Sequence, residues 1–255
     1  MTSGIRNTVK ERIKRELLSE ANFNRQEQQA LLDTKYYKAL LAADQKGGQV
    51  KTKPVREIYK APSIEAELKK RLRAASGLKP GAKTFDLAVF KDAATKTEYK
   101  KIYDTLDKYV AAFPTPKNLV FIGAAGTGKT HAAQVLGSKL LDRGFSVFYI
   151  TAFALIQRFK DYIFNFEADA LDNIFGCDLL VIDDLGTEPK IKNISEEYLL
   201  NVINERMAND MPYIITTNLA PEDILARYDE RLTSRILSKQ TSIVIQMKSK
   251  DLRLI

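Results

Sequence analysis

The 255 residues include one cysteine, Cys177, and one histidine, His131. One thiol cannot close an internal disulfide, and a Cys-based zinc site needs more than one. Any metal site or catalytic group needing several histidines is excluded as well. No run of eighteen apolar residues occurs, so no membrane-spanning helix is predicted. Met1 to Glu20 is charged throughout and has no apolar core, so it does not read as a secretory signal. These absences point to a reducing cytoplasm, with no membrane partner. Cys177 itself reads as a small buried hydrophobe and His131 as a packing or capping residue.

What the chain does have is ordinary globular composition, 45% hydrophobic and 28% charged, which excludes wholesale disorder and collagen-like repeats. Lys+Arg number 40 against 32 Asp+Glu, a formal charge of +8. The excess is uneven. Residues 1–115 hold 24 basic and 14 acidic side chains, a balance of +10, and residues 116–255 hold 16 and 18, a balance of −2. Such asymmetry suggests an anionic partner, most simply nucleic acid, although a solvated helix surface would look the same.

Helical spacing dominates the first part. Ile5, Val9, Ile13 and Leu17 recur every fourth position, as do Leu32, Tyr36 and Leu40, so residues 1–46 read as a helical region. Gly47-Gly48, Pro54 and Pro62 mark a linker, and 64–75 a short basic helix, so 47–82 reads as a basic connection. Tyr99, Ile102, Tyr103, Leu106, Tyr109, Val110 and Phe113 predict a helix over 94–113, with Thr95 and Glu98 as its capping box. From residue 118 the rhythm changes. Short apolar runs at 118–122, 146–150, 179–182, 213–216 and 242–245 alternate with helical segments. That pattern predicts an α/β fold with a buried, five-stranded parallel sheet.

The first run leads into Gly123-Ala124-Ala125-Gly126-Thr127-Gly128-Lys129-Thr130, which fits G-x-x-x-x-G-K-T between a strand and a helix. Glycines let the backbone fold around a phosphate, and N–H groups at the helix start point at the anion. Lys129 adds a cation for the β- and γ-phosphates, and the Thr130 hydroxyl is a ligand for Mg²⁺. The third run ends in Asp183-Asp184, carboxylates delivered to the ligand-binding edge of a parallel sheet. Asp183 is the candidate for the Mg²⁺ shell and Asp184 for orienting or activating water. Glu188 follows, as a helper or as a merely exposed side chain. The fourth run ends at Asn218, whose amide suits both a water and a γ-phosphate oxygen. Arg231 and Arg235 lie four apart on a helix, where arginine can stabilise a transferring phosphoryl group.

Taken in order, the phosphate loop, Asp183-Asp184-Leu185-Gly186, Thr216-Thr217-Asn218-Leu219 and Arg231-x-x-Ser234-Arg235 resemble an AAA+ ATPase of the initiator and helicase-loader type. The likeness is closest to the DnaC/DnaI loaders and their relative IstB. Lys83-Thr84-Phe85-Asp86 and Asn204-x-Arg206 add to it, so it spans about residues 83–255. The resemblance implies an AAA+ P-loop core with a reduced or absent lid, and ATP with Mg²⁺ at a protomer interface. It implies Asn218 as the sensor, Arg235 as the arginine reaching a neighbour's ATP with Arg231 the alternative for that role, and Arg253 as a second sensor. It further implies a replicative helicase hexamer and single-stranded DNA as partners, with homo-oligomers forming on ATP. An IstB-like transposition helper on duplex DNA is the alternative. Small-molecule phosphoryl transfer is disfavoured by the short tail after Arg235 and the sensor-like Asn218. DnaI-type loaders often carry an N-terminal zinc site, which one cysteine and one histidine cannot supply. Arg158, Lys160 and Tyr162 are candidates for stacking on and neutralising single strands, or for one face of a helix that packs Phe159 inward.

Overall fold

The computed structural model describes residues 62–79, 81, 84–165, 171–191, 194–249 and 251–252. The helical region expected over 1–46, residues 47–61, 80 and 82 of the connection, Lys83 and Arg253 lie outside them. Contacts divide the chain into two units, Met1–Ala75 and Ser76–Ile255. In the first, the described element is helix α1, Pro62–Ala75, which contains the basic helix expected over 64–75.

The second unit begins with α2, Ala93–Ala112. Its start differs in detail from the sequence expectation. The N-cap is Asp92, whose carboxylate accepts from Thr95 N at 2.7 Å, so Thr95 lies inside the first turn. Asp is the stronger cap, since its charge also favours the helix N-terminus. Then follow β1, Asn118–Ile122, α3, Lys129–Asp142, β2, Val147–Thr151, α4, Ala152–Phe164, and α5, Asp172–Gly176. β3, Leu179–Leu185, α6, Ser195–Ala208, β4, Tyr213–Thr217, α7, Pro221–Arg227, α8, Glu230–Ile236, and β5, Ser242–Gln246, complete the unit.

The five strands are all parallel, in the order β2-β3-β4-β1-β5. Parallel strands are covered on both faces, which explains why β1 and β4 are buried along their whole length. Alternate residues serve opposite faces. Val120, Ile122, Phe148, Ile150, Leu180, Ile182, Tyr213 and Ile215 share one cluster with Leu155, Ile156 and Phe159 of α4 and Leu199, Val202 and Ile203 of α6. α3 packs on β2, β3 and β4, and α2 packs on α3. The strand order puts β4 between β1 and β3. The tip of β4 therefore stands between the phosphate loop that follows β1 and the acidic end of β3.

β3 extends further than its apolar run. Ile182 pairs with Ile215 and Leu185 with Thr217, so β3 carries one extra residue, a β-bulge at the two aspartates. Asp184 sits there at φ 55°, held by Thr216 Oγ1, which accepts from Asp184 N at 2.9 Å. In an unbroken strand, neighbouring residues face opposite sides. The bulge re-aims Asp184 so that both carboxylates serve the same edge.

Candidate nucleotide-binding site

Gly128 is the N-cap of α3 at φ 90°, a conformation open to glycine, and it frees the first N–H groups of the helix to face an anion. Lys129 follows and is only 4% exposed. Its ammonium donates to Gly123 O, Ala124 O and Asn218 Oδ1, each at 2.8 Å. The phosphate-loop lysine and the β4-tip amide, 89 residues apart in sequence, are thus directly bonded.

Thr130 Oγ1 donates toward both Asp183 oxygens, at 3.0 and 3.1 Å. Thr216 Oγ1 donates to Asp183 Oδ1 at 2.5 Å, and the Tyr149 hydroxyl donates to Oδ2. Asp183 is a buried carboxylate with three hydroxyl partners. Burial first, then the hydrogen bond to Asp183, pushes the Tyr149 phenol well above its ordinary value, so it remains a donor. Asp183 and Thr130 are hard oxygen ligands of the kind Mg²⁺ takes, and that ion commonly completes its shell with phosphate oxygens and water. Among the described residues no cluster of three or more His, Cys, Asp or Glu side chains forms an all-protein metal cage. The residues present therefore fit Mg²⁺ arriving with a nucleotide.

A cavity of about 760 Å³ opens over the loop, lined among others by Gly126, Lys129, Thr130, Asp184, Asn218 and Tyr103. The segment before α2 forms part of its wall. Phe85 stacks on Tyr103 with centroids 4.6 Å apart, and Phe90 lies 4.2 Å from Tyr99. His131 Nε2 reaches Thr84 O at 3.3 Å, which makes this residue a tie between that segment and α3. The Tyr99 hydroxyl donates to Thr127 O at 2.8 Å and so braces the phosphate loop from α2. Burial raises the Tyr103 pKa to about 12, leaving a neutral phenol on the cavity wall.

Arg231 and Arg235 do not line this cavity. The Arg231 side chain is 72% exposed, with Nε donating to Asp229 Oδ2 at 2.7 Å. Arg235 is half-buried, and its Nη1 donates to Arg231 O at 2.8 Å. Glu188, by contrast, is not an exposed side chain. It is 4% exposed and paired with Arg227 at 3.2 Å. Glu196 accepts from Asp229 N and ties α6 to the start of α8. Cys177 is buried as expected, and burial raises its thiol pKa.

Sequence reasoning did not single out Tyr149 or Thr216 as groups around Asp183, nor Tyr99 as a brace. Their side chains are ordinary members of apolar or helical runs, and only the strand order brings them to the site. On α4, Phe159 packs inward as expected, and Tyr162, Arg158, Phe153 and Phe164 face outward, the two phenylalanines 58% and 62% exposed.

A phosphate loop whose lysine is bonded to the amide at the β4 tip, beside a buried aspartate at the edge of a β2-β3-β4-β1-β5 sheet, defines an AAA+ P-loop nucleotide-binding core. Residues 65–254 match the model of the IstB-like ATP binding proteins, and the chain belongs to that family. The replicative helicase loader DnaC of Escherichia coli K12 is 30% identical over 141 residues, 54% of this chain and 54% of that protein. The chain thus matches about half the length of the curated relatives it resembles. The crystal structure of the DnaC helicase loader has a TM-score of 0.56 at 24% identity, covering 70% of this chain and 99% of that one. The replication initiator DnaA bound to AMPPCP and single-stranded DNA has a TM-score of 0.54 at 21% identity, covering 69% and 52%. These two structures show the shared fold. No helix among the described residues is long and apolar enough to cross a membrane.

Proposed function

We propose that this protein is an ATP-hydrolysing loader that binds a replicative helicase and single-stranded DNA, with hydrolysis controlling assembly and release. The observation that carries the nucleotide part is the Lys129 ammonium held between the loop carbonyls and Asn218, at the floor of the cavity. Gly123 to Gly128 would cradle the phosphates with backbone N–H groups. Lys129 would then exchange its carbonyl partners for phosphate oxygens, while its bond to Asn218 keeps the sensor amide at the γ-phosphate. Thr130 and Asp183 would hold Mg²⁺, which when bound neutralises charge on the β- and γ-phosphates. Asp184, aimed by the bulge, would orient the attacking water and accept its proton.

Arg231 and Arg235 lie outside the protomer's own cavity, which supports a role toward a neighbour's ATP and hence ATP-dependent homo-oligomers. Arg235 is the proposed inserted arginine. The exposed aromatics and Arg158 on α4 support single-strand binding by stacking and charge. The likeness to DnaC supports the helicase as partner, with the contact proposed for residues 1–46. Once the γ-phosphate is gone, contacts that order the interface are lost, and the assembly loosens.

The deciding experiment is capture of a replicative helicase hexamer by the tagged full chain, with and without ATP, beside Lys129→Ala. Capture should depend on ATP in the parent chain, and Lys129→Ala should lose ATP binding. Failure to capture the helicase, with tight duplex binding at matched salt, would instead favour the IstB-like helper. Unchanged ATP affinity in Lys129→Ala would refute the site itself.

A further inference from the structure

We propose that Glu188 is a positioning residue that links a protomer's own water-orienting turn to the arginine helix it presents to its neighbour. The proposal rests on the trans-arginine reading above. It starts from a buried ionic network outside the nucleotide cavity. Glu188 lies four residues past Asp184, on the turn that leaves β3. Its Oε2 accepts from Gly186 N at 2.8 Å. Its Oε1 accepts from Arg227 Nη2 at 3.2 Å, from Arg227 Nε at 3.3 Å and from the Tyr228 hydroxyl. Arg227 Nη2 also donates to Glu188 O.

Each end of this network touches a functional element. At one end, Thr187 N and Oγ1 both donate to Asp184 O, at 3.2 and 2.8 Å, so the Asp184–Glu188 turn is a single hydrogen-bonded unit. At the other end, Arg227 is the last residue of α7, Tyr228 follows it, and Asp229 caps α8. α8 carries Arg231 and Arg235. Only Tyr228 therefore stands between Arg227 and the α8 N-cap, Asp229. A single surface ion pair would contribute little. A carboxylate this buried must keep its partners, because unpaired it carries a large desolvation cost. The turn and the root of α8 are thereby held in one arrangement, and a shift of either is felt by the other. Glu188 does not line the nucleotide cavity. It acts through the backbone at Gly186 and through the α7–α8 corner.

A mixing experiment with full-length chains isolates this role. Lys129→Ala protomers lack a working site and keep the arginine helix, whereas Arg235→Ala protomers keep the site and lack the arginine. Mixed, they should recover ATP hydrolysis that neither shows alone. Glu188→Gln is then added to the Lys129→Ala donor, whose own site is already dead. We expect recovered hydrolysis to fall about tenfold or more, since misplacement of a catalytic group by about 1 Å carries such a cost. Tyr228→Phe in the same donor keeps the volume, removes one bond to Glu188, and should lower recovery in the same direction while the donor stays folded by thermal unfolding. Full recovery with both altered donors would overturn the proposal. If the unaltered donor fails to complement Arg235→Ala at all, the trans-arginine reading itself falls, and this inference falls with it.

Discussion

Tyr149 donates a hydrogen bond to the Asp183 oxygen that Thr130 also reaches, so one phenol fixes a face of the carboxylate proposed to hold Mg²⁺. Groups that orient a metal ligand typically change metal affinity by about 10- to 100-fold when removed. Tyr149→Phe should therefore raise the Mg²⁺ concentration needed for half-maximal nucleotide binding by about tenfold. ATP affinity at saturating Mg²⁺ should change little. Titration of a fluorescent ATP analogue at stepped Mg²⁺ checks this, and an unchanged Mg²⁺ midpoint would remove Tyr149 from the site. The same scale explains Arg206, a fully buried guanidinium whose Nη1 donates to Ile174 O at 2.9 Å. Its Nη2 reaches Cys177 O, Asp178 O and Pro212 O at 3.0, 3.3 and 2.8 Å. Arg206→Met would fill similar space and leave those carbonyls unpaired. It should lower stability by at least about 3 kcal/mol, read from denaturant unfolding. A variant as stable as the parent would show that water takes over the carbonyls.

At the scale of elements, α8 is seven residues long and too short to persist without caps and packing. Asp229 supplies the cap, accepting from Leu232 N at 2.7 Å. That backbone hydrogen bond, with help from Arg231, holds the Asp229 carboxyl below its ordinary value. A lowered pKa means that the stabilisation is present above the ordinary carboxylate range. It disappears as pH falls through the lowered value. Asp229→Ala should cost about 1 kcal/mol near neutral pH, and the gap from the parent should close on acidification. Unfolding midpoints across a pH series check the sign, and a gap that widens in acid would contradict it. The bulge in β3 belongs to this scale too. It adds one residue between Ile182 and Leu185 and places Asp184, at φ 55°, on the cavity wall.

For the whole molecule, the decisive arrangement is that the arginines of α8 lie away from the cavity of their own chain. Under the proposed function, hydrolysis is then a property of an assembly. Arg235→Ala should bind ATP as tightly as the parent and hydrolyse it far more slowly, since a supplied arginine is worth about 10³–10⁵ in rate. Equal losses in binding and hydrolysis would place Arg235 in a local role. Arg231, the more exposed of the two, is the control variant, and its loss should have the smaller effect.

Much of this protein was legible in order along the chain. The phosphate loop, the paired aspartates and the Thr-Thr-Asn tip follow apolar runs. Local chemistry suffices there, because a buried parallel strand must be apolar and must hand its polar residues to one edge. β3 ran past its apolar residues because a bulge, set by pairing with β4, is invisible in one strand alone. Glu188 read as either a helper or an exposed side chain, and its burial depends on Arg227 and Tyr228, 39 and 40 residues away. Tyr149 and Thr216 joined Asp183 only once strand order made β2, β3 and β4 neighbours. The sequence by itself determined which groups could meet a triphosphate, since those groups lie in short local motifs. Tertiary structure decided which side chains hold them in place, because such partners are chosen by strand adjacency and helix packing across long separations.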